Sequence, residues 1–171
     1  PGKVIVTTQE IEKRGSHGYR DIYLTESTDG AQTWSKPVRI DALKRQRYED
    51  GIERVFGDVC PQWHEQTGKL LITGKCFGFL ADPNDNKAKD DRSLERVAYA
   101  VYDPKADRWT GMKIMDMPEK DHAGRPILEP NAGCHQRVAL PNGDVLLPVR
   151  YRADPKKRVY TTIVTRCRFD G

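Results

Sequence analysis

The sequence predicts an all-β fold. Three observations carry that reading: short runs that alternate or stay apolar over strand lengths, polar Gly-containing turns between them, and no sustained helical period. In order, KVIVTTQE (3–10) and DIYLTES (21–27) read as strands, and STDGAQTW (27–34) reads as a hairpin turn leading into KPVRI (36–40). Asp29-Gly30 supplies the positive-φ positions such a turn needs. The polar run DALKRQRYEDGIER (41–54) lacks an apolar face and offers at most a turn of helix. VCPQWHEQTGKLLITGKCF (59–77) then reads as two strands joined by Glu65-Gln66-Thr67-Gly68. A charged loop is expected over ADPNDNKAKDDRS (81–93), followed by the strand RVAYAVYD (96–103), a turn ending at Trp109, and the strand MKIMDM (112–117). HQRVALPNGDVLLPVRYR (135–152) folds about Pro141-Asn142-Gly143, and RVYTTIVTRCRF (158–169) supplies the last strand.

At 171 residues the chain suits one domain with a real core. No apolar run approaches the roughly 18 residues of a membrane-spanning helix. The 29 basic and 25 acidic residues are interspersed, giving a formal charge of +4, which reads as a solvated surface and not as a nucleic-acid footprint. Cys60, Cys76, Cys134 and Cys167 are too widely spaced for a Cys-x-x-Cys metal site, and the histidines do not complete one. Buried free thiols and a disulfide pair both stay open. The chain opens at Pro1 without a signal-like segment, so a processed chain or a fragment is expected.

Aligned on their turns, the runs form successive rounds of strand, Gly turn, longer strand, polar loop and further strand. Four-stranded units at such spacing suit propeller blades, and the same spacing suits a β-sandwich. The stretch STDGAQTW separates the two, because a hairpin needs only Asp-Gly, whereas Ser27, Asp29, Gly30, Thr33 and Trp34 occur together. That stretch resembles the Asp-box of the sialidase superfamily, the Ser-x-Asp-x-Gly-x-Thr-Trp turn between the third and fourth strands of a blade. Ala31 departs from the usual glycine, and a second copy, YDPKADRW (102–109), keeps only its aspartate and tryptophan ends. GDVCPQWHEQTGKLLITGKCF (57–77) resembles the opening of the second sialidase blade, GCHQRVALPNGDVLLPVRYR (133–152) the opening of the third, and GKVIVTTQE (2–10) the strand after the family's Arg-Ile-Pro tag.

The resemblance implies a sialidase-like six-bladed β-propeller. Residues 1–171 would supply about three antiparallel blades, at about 3–41, 55–117 and 133–171, the last incomplete. The missing half or another chain is then expected to cover the open sheet faces. It further implies a glycan substrate, no metal or organic cofactor, and a secreted or periplasmic location. Of the family's arginine triad, tyrosine nucleophile and partnering glutamate, none falls within the chain. The family's acid/base aspartate falls on Ser16 or His17, with Asp21 the nearest carboxylate.

Candidate catalytic residues are therefore His17, Asp58 and Asp21. A histidine titrates near neutral pH, and Asp58 falls where the family has a pocket-lining polar residue. Candidate substrate-binding residues are His135, Gln136, Arg137, Arg150 and Tyr151. Strand alternation sends Arg150 and Arg152 to one face and Tyr151 to the other. Trp34 and Trp109 read as structural turn closures, while Trp63 stays open as a sugar-stacking platform. Two function classes result: an exo-glycosidase acting on sialic acid or another acidic terminal sugar, and a propeller that binds glycan or protein without turnover. A uronic-acid-active enzyme using a histidine is a variant of the first.

Overall fold

The computed structural model describes residues 2–11, 18–82 and 85–171. The described residues are all-β, with one short 3-10 turn at Asp41–Leu43. The first sheet holds β1 (Val4–Ile11), β2 (Tyr19–Ser27) and β3 (Val38–Arg39) in that order. The second runs β4 (Gln46–Arg47), β5 (Glu53–His64), β6 (Lys69–Asp82), β7 (Asp85–Asp103) and β8 (Arg108–Trp109), with β9 (Lys113–Ile114) also paired to β7. In the third, β10 (Leu128–Asn131) and β11 (Val138–Ala139) both pair with β12 (Val145–Arg152), whose other partner is β13 (Tyr160–Cys167). All these pairings are antiparallel.

The second sheet is central, which explains its sequence. Ala98 and Ala100 pack with Ile22, Ile40 and Leu43 of the first sheet and its following loop, while Val97 packs with Ala132, Leu147 and Val149 of the third. A strand buried on both faces reads as a continuous apolar run, and VAYAV is such a run. β12 shows the opposite pattern: Val145, Leu147, Val149 and Tyr151 are buried, and the residues between them are half-buried. Arg150 and Arg152 therefore lie on the face away from Tyr151, as alternation predicts. Close packing also dictates a glycine: a Cβ on Gly74 would lie 2.7 Å from the Gly57 carbonyl oxygen, closer than side-chain carbons come.

One expectation needs correcting. The run 81–93 is mostly strand backbone: β6 and β7 continue as one long hairpin, pairing Phe79 with Asp90, Leu80 with Lys89 and Asp82 with Asp85. Its polar composition signals solvent, but backbone pairing needs no apolar side chain, so an established ladder extends into it. Trp34, at the end of the Ser27–Trp34 turn, is 42% exposed. Trp109 does pack on the core, with its ring 4.9 Å from Tyr102.

The Ser27–Trp34 turn joins β2 to β3 and is organised around Asp29. Its Oδ1 accepts from the Ser27 hydroxyl at 2.8 Å and from the Gln32 and Thr33 amides at 3.0 Å each, and its Oδ2 accepts from the Thr33 hydroxyl at 2.5 Å. The Ser27 hydroxyl in turn accepts from the Ala31 amide at 2.9 Å. Ala31 sits at φ +70, so the left-handed position that usually carries glycine is kept with an alanine. The hydrogen bonds from Thr33 and Ser27 hold the Asp29 carboxyl well below the usual carboxylate range. Because the folded pKa is depressed, this contribution to stability is complete above the unfolded value of about 3.9 and is lost as pH falls through the lower folded one. Carboxyl chemical shifts should show Asp29 still ionised near pH 3, and Asp29→Ala should lower the unfolding midpoint and remove that acid dependence.

Candidate functional site

The three sheets meet along a polar seam whose centre is Asp58. β5 bulges between Gly57 and Cys60, and Asp58 in the bulge takes a left-handed φ of +51. A bulge re-aims a side chain out of the ladder, and a non-glycine residue there costs on the order of 1 kcal/mol. The Tyr19 hydroxyl, at the start of β2, donates to Asp58 Oδ1. Lys75 Nζ, from β6, lies 2.6 Å from Asp58 Oδ2, and its ammonium rests 4.2 Å from the Phe77 ring centroid. The link between β10 and β11 closes the arrangement from the third sheet, with the Cys134 amide donating to the Asp58 carbonyl at 2.8 Å. Gly133 passes so near that a Cβ would lie 2.7 Å from the Asp58 Cβ.

The seam continues across the second and third sheets. Asn131 receives the Gly133 amide on its Oδ1 at 2.7 Å and donates through Nδ2 to Glu95 at 3.0 Å. Glu95, 2% exposed on β7, also pairs with Arg150 at 3.3 Å. The Arg150 guanidinium lies 4.2 Å from the Tyr160 ring centroid, and its side chain is 34% exposed, so it offers a charged face to solvent.

Burial alone would raise the Asp58 pKa, but hydrogen bonds from Lys75 and Tyr19, with the Lys75 charge, bring it below the ordinary carboxylate value. Asp58 is therefore an ionised acceptor at neutral pH, suited to act as a base or to stabilise positive charge, and unsuited to donate a proton. Tyr19 shifts the other way: burial and then Asp58 push its phenol above the ordinary tyrosine range, so it stays a proton donor to the carboxylate.

The remaining sequence candidates divide clearly. His17 lies outside the described residues. Asp21 is on β2, where it accepts the Arg45 amide at 3.0 Å and pairs with Arg39 at 3.3 Å, tying the strand to the loop after β3. Gln136 is exposed, and His135 is half-buried with Nδ1 2.9 Å from the Pro148 carbonyl, to which it donates. Arg137 and Tyr151 are turned inward instead of lining an open surface. Arg137 donates to the Cys60 and Gln62 carbonyls at 2.9 and 3.0 Å, to the Thr73 hydroxyl at 2.9 Å, and to the Leu71 carbonyl. Tyr151 is fully buried and donates to Asp121 at 2.5 Å, with Arg125 Nε 2.7 Å from the same carboxylate oxygen. Trp63 is 44% exposed on β5.

Tyr19, Lys75, Glu95 and Asn131 were not among the sequence candidates. Two of them had a signal: Lys75 interrupts the apolar run LLITGKCFGF, and Glu95 abuts RVAYAV, and a charge inside a buried strand calls for a partner. Two clefts lie away from Asp58. One, of about 860 Å³, opens between the second and third sheets around Tyr99, Thr165 and Phe169; the other, of about 640 Å³, lies by Met117, Pro130 and Arg152. Neither gathers the ionisable side chains that converge on the seam. A scan of protein-family models finds no match to the chain, and a search of curated proteins likewise finds none.

Proposed function

We propose that the chain is part of a sialidase-like propeller, and that the seam around Asp58 receives an acidic terminal sugar for exo-glycosidic hydrolysis. The observation that carries this reading is the Asp29-centred turn: its serine, aspartate and threonine bond as an Asp-box requires, and it joins the last two strands of the first sheet. The Tyr102–Trp109 turn joins the corresponding strands of the second sheet, β7 and β8, with Asp103 accepting the Lys105 amide at 2.9 Å. On this reading the first, second and third sheets are successive blades, and the bulged β5 and the interrupted β10–β11 segment face the axis. β1 and β13 each pair on one side only among the described residues, and further blades or another chain complete those edges. A secreted or periplasmic setting belongs to the same reading.

The chemistry of the seam suits that substrate class. Lys75 and Arg150 are cations for a sugar carboxylate, and the planar Arg150 fork suits a bidentate hold. Asp58, kept ionised, supports an oxocarbenium-like transition state or accepts a proton. A second reading, binding without turnover, is favoured by the same carboxylate, because Lys75 and Tyr19 already satisfy it and it has no proton to give a leaving group.

Hydrolysis of fluorogenic sialosides and uronides by the intact protein separates the two readings. The expected result is cleavage of an acidic glycoside that is lost in Asp58→Asn and, where His17 supplies the proton, in His17→Ala. Binding of the acidic sugar with no turnover would select the binding propeller, and neither binding nor turnover of any acidic glycoside would overturn both.

A further inference from the structure

The two rounds that meet at the seam each carry Cys-x-Gln: Cys60-Pro61-Gln62 directly after the β5 bulge, and Cys134-His135-Gln136 in the link between β10 and β11. The bulge and the link are laid against each other. The Cys134 amide donates to the Asp58 carbonyl at 2.8 Å, Cys60 lies two residues further along β5, and Arg137, three residues past Cys134, donates to the Cys60 carbonyl at 2.9 Å. Hydrogen bonds on both sides therefore pin the segment carrying one cysteine to the strand carrying the other. Cys134 is held at φ +58 with its residue exposed, Cys60 is half-buried, and the two thiols lie within electrostatic range of each other and of Asp58. The other thiols are placed elsewhere: Cys76 is fully buried between the first and second sheets, and Cys167 packs against Met115 at 4.0 Å.

We propose that Cys60 and Cys134, free thiols in this structure, close into a reversible disulfide that cross-links the second sheet to the third beside Asp58. The oxidant is a small-molecule disulfide such as oxidised glutathione. One protein thiolate attacks it and releases a glutathione thiol, and the second protein thiolate then displaces the other glutathione from the mixed disulfide. Two protein thiols are oxidised and one glutathione disulfide is reduced to two thiols. Burial, foremost, and the Asp58 charge keep both thiols protonated at neutral pH, so closure should accelerate as pH rises towards 9. The bridge fixes a long loop in the unfolded chain and should raise the unfolding midpoint. This inference is independent of the sugar reading.

The test is peptide mass mapping of the full chain, without reduction, after equilibration in a glutathione redox buffer at pH 8.5 and acid quenching. The expected result is a linked Cys60–Cys134 peptide, loss of two alkylatable thiols, reversal by dithiothreitol, and a midpoint several degrees higher in the closed form. Cys134→Ser should abolish the link and leave Cys60 alkylatable. Wild-type protein in which both thiols remain alkylatable, or carry glutathione only, or pair with Cys76 or Cys167, would overturn the proposal.

Discussion

Arg137→Ala is expected to destabilise the fold by about 3–5 kcal/mol, with the urea midpoint falling and the denaturant slope unchanged. Arg137 is 6% exposed, and the acceptors of its guanidinium are three main-chain carbonyls and a threonine hydroxyl on β5 and β6. Truncation removes all four bonds, two of them buried, and an acceptor left buried without a partner costs about 1–3 kcal/mol less whatever water recovers. Burial pulls the Arg137 pKa down to about 10, which still leaves it charged at neutral pH. Because the four acceptors are spread over two strands, the planar fork matters as much as the charge. Arg137→Lys should therefore recover less than half of the loss, since an ammonium cannot span the same set. Full recovery by lysine would mean that only the charge counts.

The second large effect concerns Asp58. Asp58→Asn should lower turnover of an acidic glycoside by about 10²-fold or more, the usual contribution of a positioned acid–base or charge-stabilising group. It should also cost about 2 kcal/mol of stability, because Lys75 loses its counter-charge in a nearly buried position. Lys75→Met added to Asp58→Asn removes the orphaned cation, so it should restore stability and leave activity absent. A double variant that recovered activity would show that Asp58 only solvates Lys75. The pH dependence has a fixed sign. The Asp58 carboxyl is depressed by Lys75 and Tyr19 against the upward pull of burial, so its stabilisation is complete above about pH 3.9 and fades as pH falls through the lower folded value.

Much of the fold was legible because strand patterning and turn chemistry are local. The Glu65–Gly68 and Pro141–Gly143 turns lie between the strands expected of them, and Asp29 binds its own turn within five residues. The charged run 81–93 was not legible as strand, because its polar sequence carries no apolar alternation to read. The site was half legible. Asp58 was named as a candidate through the resemblance, but its partners Tyr19, Lys75 and the Cys134 amide come from three separate segments, and only the packing of the sheets brings them together. Arg137 and Tyr151 looked like pocket residues because both are polar residues on or beside a strand. Whether such a side chain faces solvent or a neighbouring sheet depends on which sheet packs where, and that is tertiary information.

The most direct measurement is a titration of the intact, isotope-labelled protein with sialic acid, with a neutral hexose as control, followed by amide chemical shifts. Saturable shifts centred on Gly57–Cys60, Lys75 and Asn131–Cys134, absent with the hexose and lost in Asp58→Asn, are the predicted result. Shifts that are absent, or that map instead to the cleft around Tyr99, Thr165 and Phe169, would contradict an acidic-sugar site at Asp58.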